Sequence, residues 1–205
     1  PVSGAVLTVG SVVNIRWQTD SGILQAKLYY STNAGDATPI WKPITVDPIS
    51  VNPNGQKTSY AWTIPDDISD DCKVKIVAVI DGEESANLYE VSSAVKIMGV
   101  LSLTYPTAEG TGWPVTQLKN IAWQATGTIP AAKVYISTQG SQGPWQFIGE
   151  TGTNTYYSWK PSDLYGEDFR SDNCYIKVTD SRYEDLVYGI SGYNFMLSAG
   201  GLENL

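Results

Sequence analysis

Apolar and polar positions alternate in short runs along most of the chain. Val13, Ile15 and Trp17 alternate with Asn14, Arg16 and Gln18. Leu28 and Tyr30 alternate with Lys27 and Tyr29, and Cys72, Val74 and Ile76 with Lys73 and Lys75. A period of two is the signature of a strand with one buried face. Tyr60 and Trp62 share one face of a further strand over 59–64. A short strand is expected near 41–46. A long loop should follow over 46–57, with two prolines and an Asn54-Gly55 turn signal, and a closing strand over 91–97.

The same order of elements then returns. Asn14-Ile15-Arg16-Trp17-Gln18 reappears as Asn120-Ile121-Ala122-Trp123-Gln124, and the segment 26–32 as 132–138, both 106 positions on. The block 69–76 reappears as 171–178, now 102 positions on, so length changes fall in the loops between blocks. The second copy predicts strands at 101–105, 118–124, 131–137, 145–149, 155–160, 174–179 and 186–197, with a hairpin loop at Gly140–Gly143. Six or seven short strands at this spacing predict a two-sheet sandwich in each copy, over 1–98 and 99–198. Pro1 aligns with Pro106, so the counterpart of 101–105 would lie upstream and the first copy is expected to lack its first strand. The join at 97–102 is short and apolar, which predicts a semi-rigid rod. The tail 199–205 reads as a cloning and tag remnant rather than as part of either sandwich.

Composition agrees with an all-β chain. Seven Trp and 13 Tyr supply buried area, and 19 Gly and 11 Pro supply turns. A net charge of −8 repels phosphate backbones and argues against nucleic acid as a partner. No apolar run is long enough to span a bilayer, so direct membrane insertion is not expected.

With no His in the chain, neither a Ser-His-Asp nor a Cys-His nucleophile system can be assembled from it, and structural zinc of the Cys/His kind is excluded. Among the 21 Asp and Glu, no pair stands in an apolar strand as glycoside hydrolysis would need. Cys72 and Cys174 occupy matching points of two separate domains, too far apart for a disulfide, and are expected as buried free thiols. Trp17, Trp62, Trp123 and Trp159 fall in phase with aliphatic residues and are expected in the cores. Trp41, Trp113 and Trp145 stand nearer loops or edges and are the candidates for stacking on a sugar. Asp66, Asp67, Asp70 and Asp71 crowd one loop, and Asp163, Glu167, Asp168 and Asp172 its counterpart. Such oxygen-rich turns could hold Ca²⁺ as a cofactor, or simply cap local backbone N–H groups. The run 180–185 is a weaker version of the same idea.

Val9-Gly10-Ser11, Ile15, Trp17, Leu28-Tyr29-Tyr30-Ser31-Thr32, Tyr60, Trp62, Pro65, Asp70, Cys72, Val74 and Ile76 together resemble the Ig-like repeat of the Kre9/Knh1 type, the Ser-Thr-rich GPI-anchored domain family of fungal walls and prokaryotic surface proteins. The second copy offers Ile121, Trp123, Val134-Tyr135-Ile136-Ser137-Thr138, Tyr157, Trp159, Pro161, Asp172, Cys174, Ile176 and Val178, and departs at Trp113-Pro114-Val115-Thr116-Gln117. The resemblance implies two tandem Ig-like/fibronectin-III-like β-sandwich domains in an extracellular or cell-surface setting. The function expected is a non-catalytic structural or adhesive segment of a large wall or S-layer type protein, with other domains or protomers of that protein as partners. The alternative is a carbohydrate-binding accessory module of a secreted glycan-active protein, with wall polysaccharide as its partner. An enzyme would need active-site groups from outside this chain.

Overall fold

The computed structural model describes residues 3–19, 22–51, 58–107 and 109–199. The Asn54-Gly55 turn and the tail from 200 onward lie outside the described residues. The chain divides into two compact units, Pro1–Met98 and Gly99–Leu205.

Unit one contains β1 (Val6–Thr8), β2 (Val12–Trp17), β3 (Gln25–Ser31), β4 (Lys42–Pro43), β5 (Ile49–Ser50), β6 (Thr58–Thr63), β7 (Ser69–Ile80), β8 (Glu83–Val91) and β9 (Val95–Met98). The larger sheet runs β1-β9-β7-β3-β4, with β5 also on β3 and β8 also on β7. The smaller sheet is β2 with β6. The two sheets face one another, because Ile15 and Trp62 from the small sheet share one buried cluster with Leu28, Tyr30, Cys72, Val74 and Ile97 from the large one. Alternation makes this unavoidable: on a pleated strand every second side chain points to the same side.

Unit two contains β10 (Val100–Tyr105), β11 (Thr111–Pro114), β12 (Lys119–Thr126), β13 (Ala132–Ser137), β14 (Gln146–Thr151), β15 (Tyr156–Trp159), α1 (Ser162–Tyr165), β16 (Ser171–Asp180), β17 (Tyr188–Ile190) and β18 (Phe195–Ser198). Its larger sheet runs β11-β18-β16-β13-β14 with β17 on β16, and its smaller sheet runs β10-β12-β15. Each unit is therefore an Ig-like β-sandwich, built twice to one plan. In both, a short first strand of the large sheet runs parallel to the last one, β1 with β9 and β11 with β18.

The departures from sequence expectation are local. The segment 91–97 is not one closing strand but the end of β8, a break, and β9. β8 itself went unanticipated. It follows a two-residue turn in which Asp81 and Gly82 take φ of 53° and 86°, the left-handed pair a tight hairpin requires. The strand expected at 41–46 shrinks to β4, and β5 interrupts the expected loop at 46–57. The large sheet of unit two also gains β11, which overlaps the stretch from Trp113 onward where the second copy departs from the shared pattern.

Candidate functional site

The outer face of the larger sheet carries the same polar–aromatic cluster in both units. On β3, the residues between the buried Ala26, Leu28 and Tyr30 are Lys27 and Tyr29, which alternation turns outward. The Tyr29 hydroxyl donates to Glu84 on β8 at 2.6 Å, and Lys27 pairs with the same carboxylate at 3.2 Å. Lys75 on β7 places its ammonium 5.4 Å from the Tyr29 ring centre and 4.6 Å from that of Trp41. In unit two, β13 presents Lys133 and Tyr135. Lys133 pairs with Glu184 at 2.5 Å, and the Tyr135 hydroxyl donates to the other oxygen of Glu184. Tyr135 meets Phe147 edge-on at 5.6 Å between ring centres, and the Lys177 ammonium stands 4.9 Å from the centre of the Tyr188 ring.

These contacts set the protonation behaviour of the face. The hydrogen bond from Tyr29, and then Lys27, hold the Glu84 carboxyl below its ordinary range despite some burial. Lys133, then Tyr135, do the same for Glu184. Burial first, and the neighbouring glutamate second, push the Tyr29 and Tyr135 phenols up to about 12. At neutral pH each cluster is a paired carboxylate, cation and neutral phenol beside exposed aromatic surface. It offers donors, rings and cations for contact, and no activated nucleophile. Both thiols are buried and free. Burial, then Asp71 and Asp67, push Cys72 up to about 12, and burial is the main cause of the raised value of Cys174.

Trp62, Trp123 and Trp159 are buried in the cores with Cys72 and Cys174. Trp17 is only half-buried, and its indole N–H is buried with no partner among the described residues. Trp113 requires a correction. It is fully buried, stacked on Tyr105 at 5.6 Å and tilted against Phe195 at 4.5 Å, so no sugar can reach it. The reason is β11: parallel pairing with β18 turns this side chain inward, at the position Leu7 fills in unit one. Trp41 and Trp145 are half-buried, and Trp41 already carries the Lys75 ammonium over its ring.

The acidic residues are not confined to loops. Asp70 and Asp71 belong to β7, Asp172 to β16 and Asp163 to α1. Asp67 accepts from the Tyr30 hydroxyl and from Lys42, each at 2.6 Å. Burial disfavours its charge, but Lys42 and Tyr30 together outweigh that and hold its carboxyl low. Asp71 accepts from the Gly35 backbone N–H at 2.5 Å. Asp66 also has a partner, and Asp70, Asp163, Glu167, Asp168 and Asp172 are exposed. In the run 180–185, Arg182 grips both oxygens of the buried Asp180, and Glu184 serves Lys133 and Tyr135. Among the described residues, no three acidic or thiol groups converge as metal ligands.

Glu84 was not singled out from sequence, and Glu184 stood out only as a member of the acidic run 180–185. The usable signal for Glu84 was the Asp81-Gly82 dipeptide, which marks a hairpin and so carries the following strand back beside β3 and β7. Glu184 offers no such signal, because the matching glutamates sit on different elements.

No protein-family model matches the chain, and no curated protein matches it. Solved structures do. A titin segment, Titin-A168169, is 12% identical over 96% of this chain and 95% of its own, with a TM-score of 0.42. A tetra-tandem repeat from the extending region of a large adhesion protein is 13% identical over 92% of this chain and 50% of its own, with a TM-score of 0.40. The ectodomain of a teleost fish polymeric Ig receptor is 7% identical over 98% of both chains, with a TM-score of 0.37. These are distant likenesses of architecture. Among the described residues, no helix is long and apolar enough to cross a membrane.

Proposed function

We propose that this chain is a non-catalytic structural or adhesive segment of a large extracellular or cell-surface protein of the wall or S-layer type, akin to the Kre9/Knh1 repeats. The outer face of each large sheet, centred on Tyr29, Trp41 and Lys75 in unit one and on Tyr135, Phe147 and Lys177 in unit two, contacts other domains or protomers of the parent protein. One observation carries this reading: the Lys–Glu–Tyr cluster is rebuilt at matching strand positions, although its glutamate comes from β8 in one unit and from the turn after β16 in the other. Two copies of one weak contact surface gain strength by acting together, which is how an adhesive segment uses repetition.

The carbohydrate-binding alternative rests on Trp41 and Trp145, two indoles that keep solvent access. Surface binding of the chain over itself and over wall polysaccharide separates the two. Protein–protein binding that falls when Tyr29→Ala is combined with Tyr135→Ala supports the adhesive reading. Saturable polysaccharide binding that quenches Trp fluorescence supports the alternative. No self-binding up to roughly millimolar concentration, the weak end of specific association, removes the self-contacting form of the adhesive reading.

A further inference from the structure

Among the described residues, the small sheet of unit one has one strand fewer than that of unit two. In unit two, β12 is paired on both sides, with β15 and with β10. In unit one, β2 pairs with β6 alone among the described residues, so its other edge is open. β10 does more than complete a ladder. Leu101 is buried, and the backbone of β10 lies so close to β17 that a Cβ on Gly189 would overlap the Leu101 carbonyl oxygen and stand 3.2 Å from Leu103. The strand thus lies between β12 and β17 and closes that side of the sandwich.

The corresponding place in unit one is a pair of adjoining recesses. The larger, about 480 Å³, is lined by Thr19, Ile23, Ala26, Ala78 and Leu88. The smaller, about 250 Å³, is lined by Ile15, Trp17, Val74 and Val91. Ile76 and Glu90 border both. The register decides what fits. In unit two, Leu103 stands opposite Trp123 and Leu101 opposite Ala125. The matching residues of β2 and its extension are Trp17 and Thr19, and they line the smaller and the larger recess respectively. Two apolar side chains two residues apart on one added strand would therefore enter one recess each.

We propose that the open edge of β2 is a strand-accepting site, and that its occupant is an extended peptide segment with apolar side chains at alternate positions, the chemistry of Leu101-Ser102-Leu103. Backbone hydrogen bonds to β2 supply the pairing, and the two recesses supply the side-chain selection. This goes beyond the adhesive reading, which concerns the opposite sheet. Glu90 tunes the site. It stands opposite Ile76 as Gly189 stands opposite Val178, so it carries side-chain bulk where unit two has none and keeps the occupant further from β8 than β10 lies from β17.

The test uses the full chain with a synthetic peptide of residues 99–107, followed by amide hydrogen exchange. The expected result is slowed exchange of the outward amides of β2 and a shift of the Trp17 indole signal, while β12 is unaffected. A peptide with both leucines changed to serine should give neither effect. Glu90→Gly should tighten peptide binding about tenfold, the scale of one relieved steric conflict. The same segment fused ahead of Pro1, where its effective concentration is far higher, should give the same protection and raise the unfolding midpoint of unit one. No protection of β2 in the fusion and in Glu90→Gly at saturating peptide overturns the proposal. Protection of β2 that depends on protein concentration without peptide also overturns it, because the occupant would then be a second copy of the chain.

Discussion

β2 and β12 share the x-Ile-x-Trp-Gln pattern and the same register, Ile15 opposite Tyr60 and Ile121 opposite Tyr157. Trp123 is nonetheless only 4% exposed, whereas Trp17 stays half-buried. On the facing sheet Val178 is fully buried and its counterpart Ile76 is not. The local sequence is equivalent in the two units, so the difference belongs to the strand beyond it. β10 covers one Trp and no described strand covers the other. Burial here is a property of what lies on the far side of a strand, and an amphipathic pattern cannot report that.

The comparison can be tested in descending order of effect. Trp123→Ala should destabilise unit two by about 3–5 kcal/mol, the range for truncating a buried aromatic. Trp17→Ala should cost unit one less than half as much. Denaturant unfolding followed by unit-specific NMR signals measures both, and equal losses would break the comparison. Gly189→Ala should destabilise unit two by about 1–3 kcal/mol, because the new methyl group overlaps the Leu101 carbonyl. Glu90→Ala at the matching point should stay within about 0.5 kcal/mol, as exposed substitutions do. A large effect in both would mean that β8 is already covered.

The titrating groups give smaller effects. The folded Cys72 thiol is raised from 9.0 to about 12, so the protonated form is the one folding favours. Its contribution is fully present below about pH 9 and is lost as pH rises toward 12. Cys72→Ala should therefore flatten the alkaline fall in the stability of unit one, as read from unfolding midpoints across that window. Smallest of all, Glu84→Gln and Glu184→Gln should each cost about 0.2–1 kcal/mol at neutral pH, the usual worth of exposed ion pairs. Both carboxyls are lowered from 4.5 in the folded chain, so this contribution exists above pH 4.5 and disappears as pH falls through their folded values. Unequal losses would show that the two outer-face clusters are not energetic equivalents.

Strands whose alternation meets a core on one side were legible in the chain. β2, β3, β6, β7, β12, β13, β15 and β16 all follow from apolar or aromatic residues recurring at every second position, such as Ile15 and Trp17 on β2 or Leu28 and Tyr30 on β3. β8 was not, because Glu83–Val91 lies mostly in solvent and shows no buried period. β11 was hidden by Pro114 and by a Trp that looked peripheral, yet parallel pairing to β18 buries that Trp completely. The candidate face was half legible. Lys27, Tyr29, Lys133 and Tyr135 are outward by parity, but Glu84 is 55 residues from Tyr29, and nothing local announces the meeting.

The amino-acid order by itself determined that the chain is two copies of one all-β plan, which side chains of each paired strand point inward, and that its thiols and most of its indoles serve the cores. These are consequences of a period of two and of apolar side chains leaving water. Which strands lie side by side was settled only by the tertiary structure, and with it the burial of Trp113, the capture of Glu84 and of Glu184 by a lysine and a tyrosine, and the pairing of β2 with β6 alone among the described residues. Pairing between distant segments depends on shape and on backbone hydrogen bonds that every residue type can make, so it leaves little trace in the order of the residues themselves.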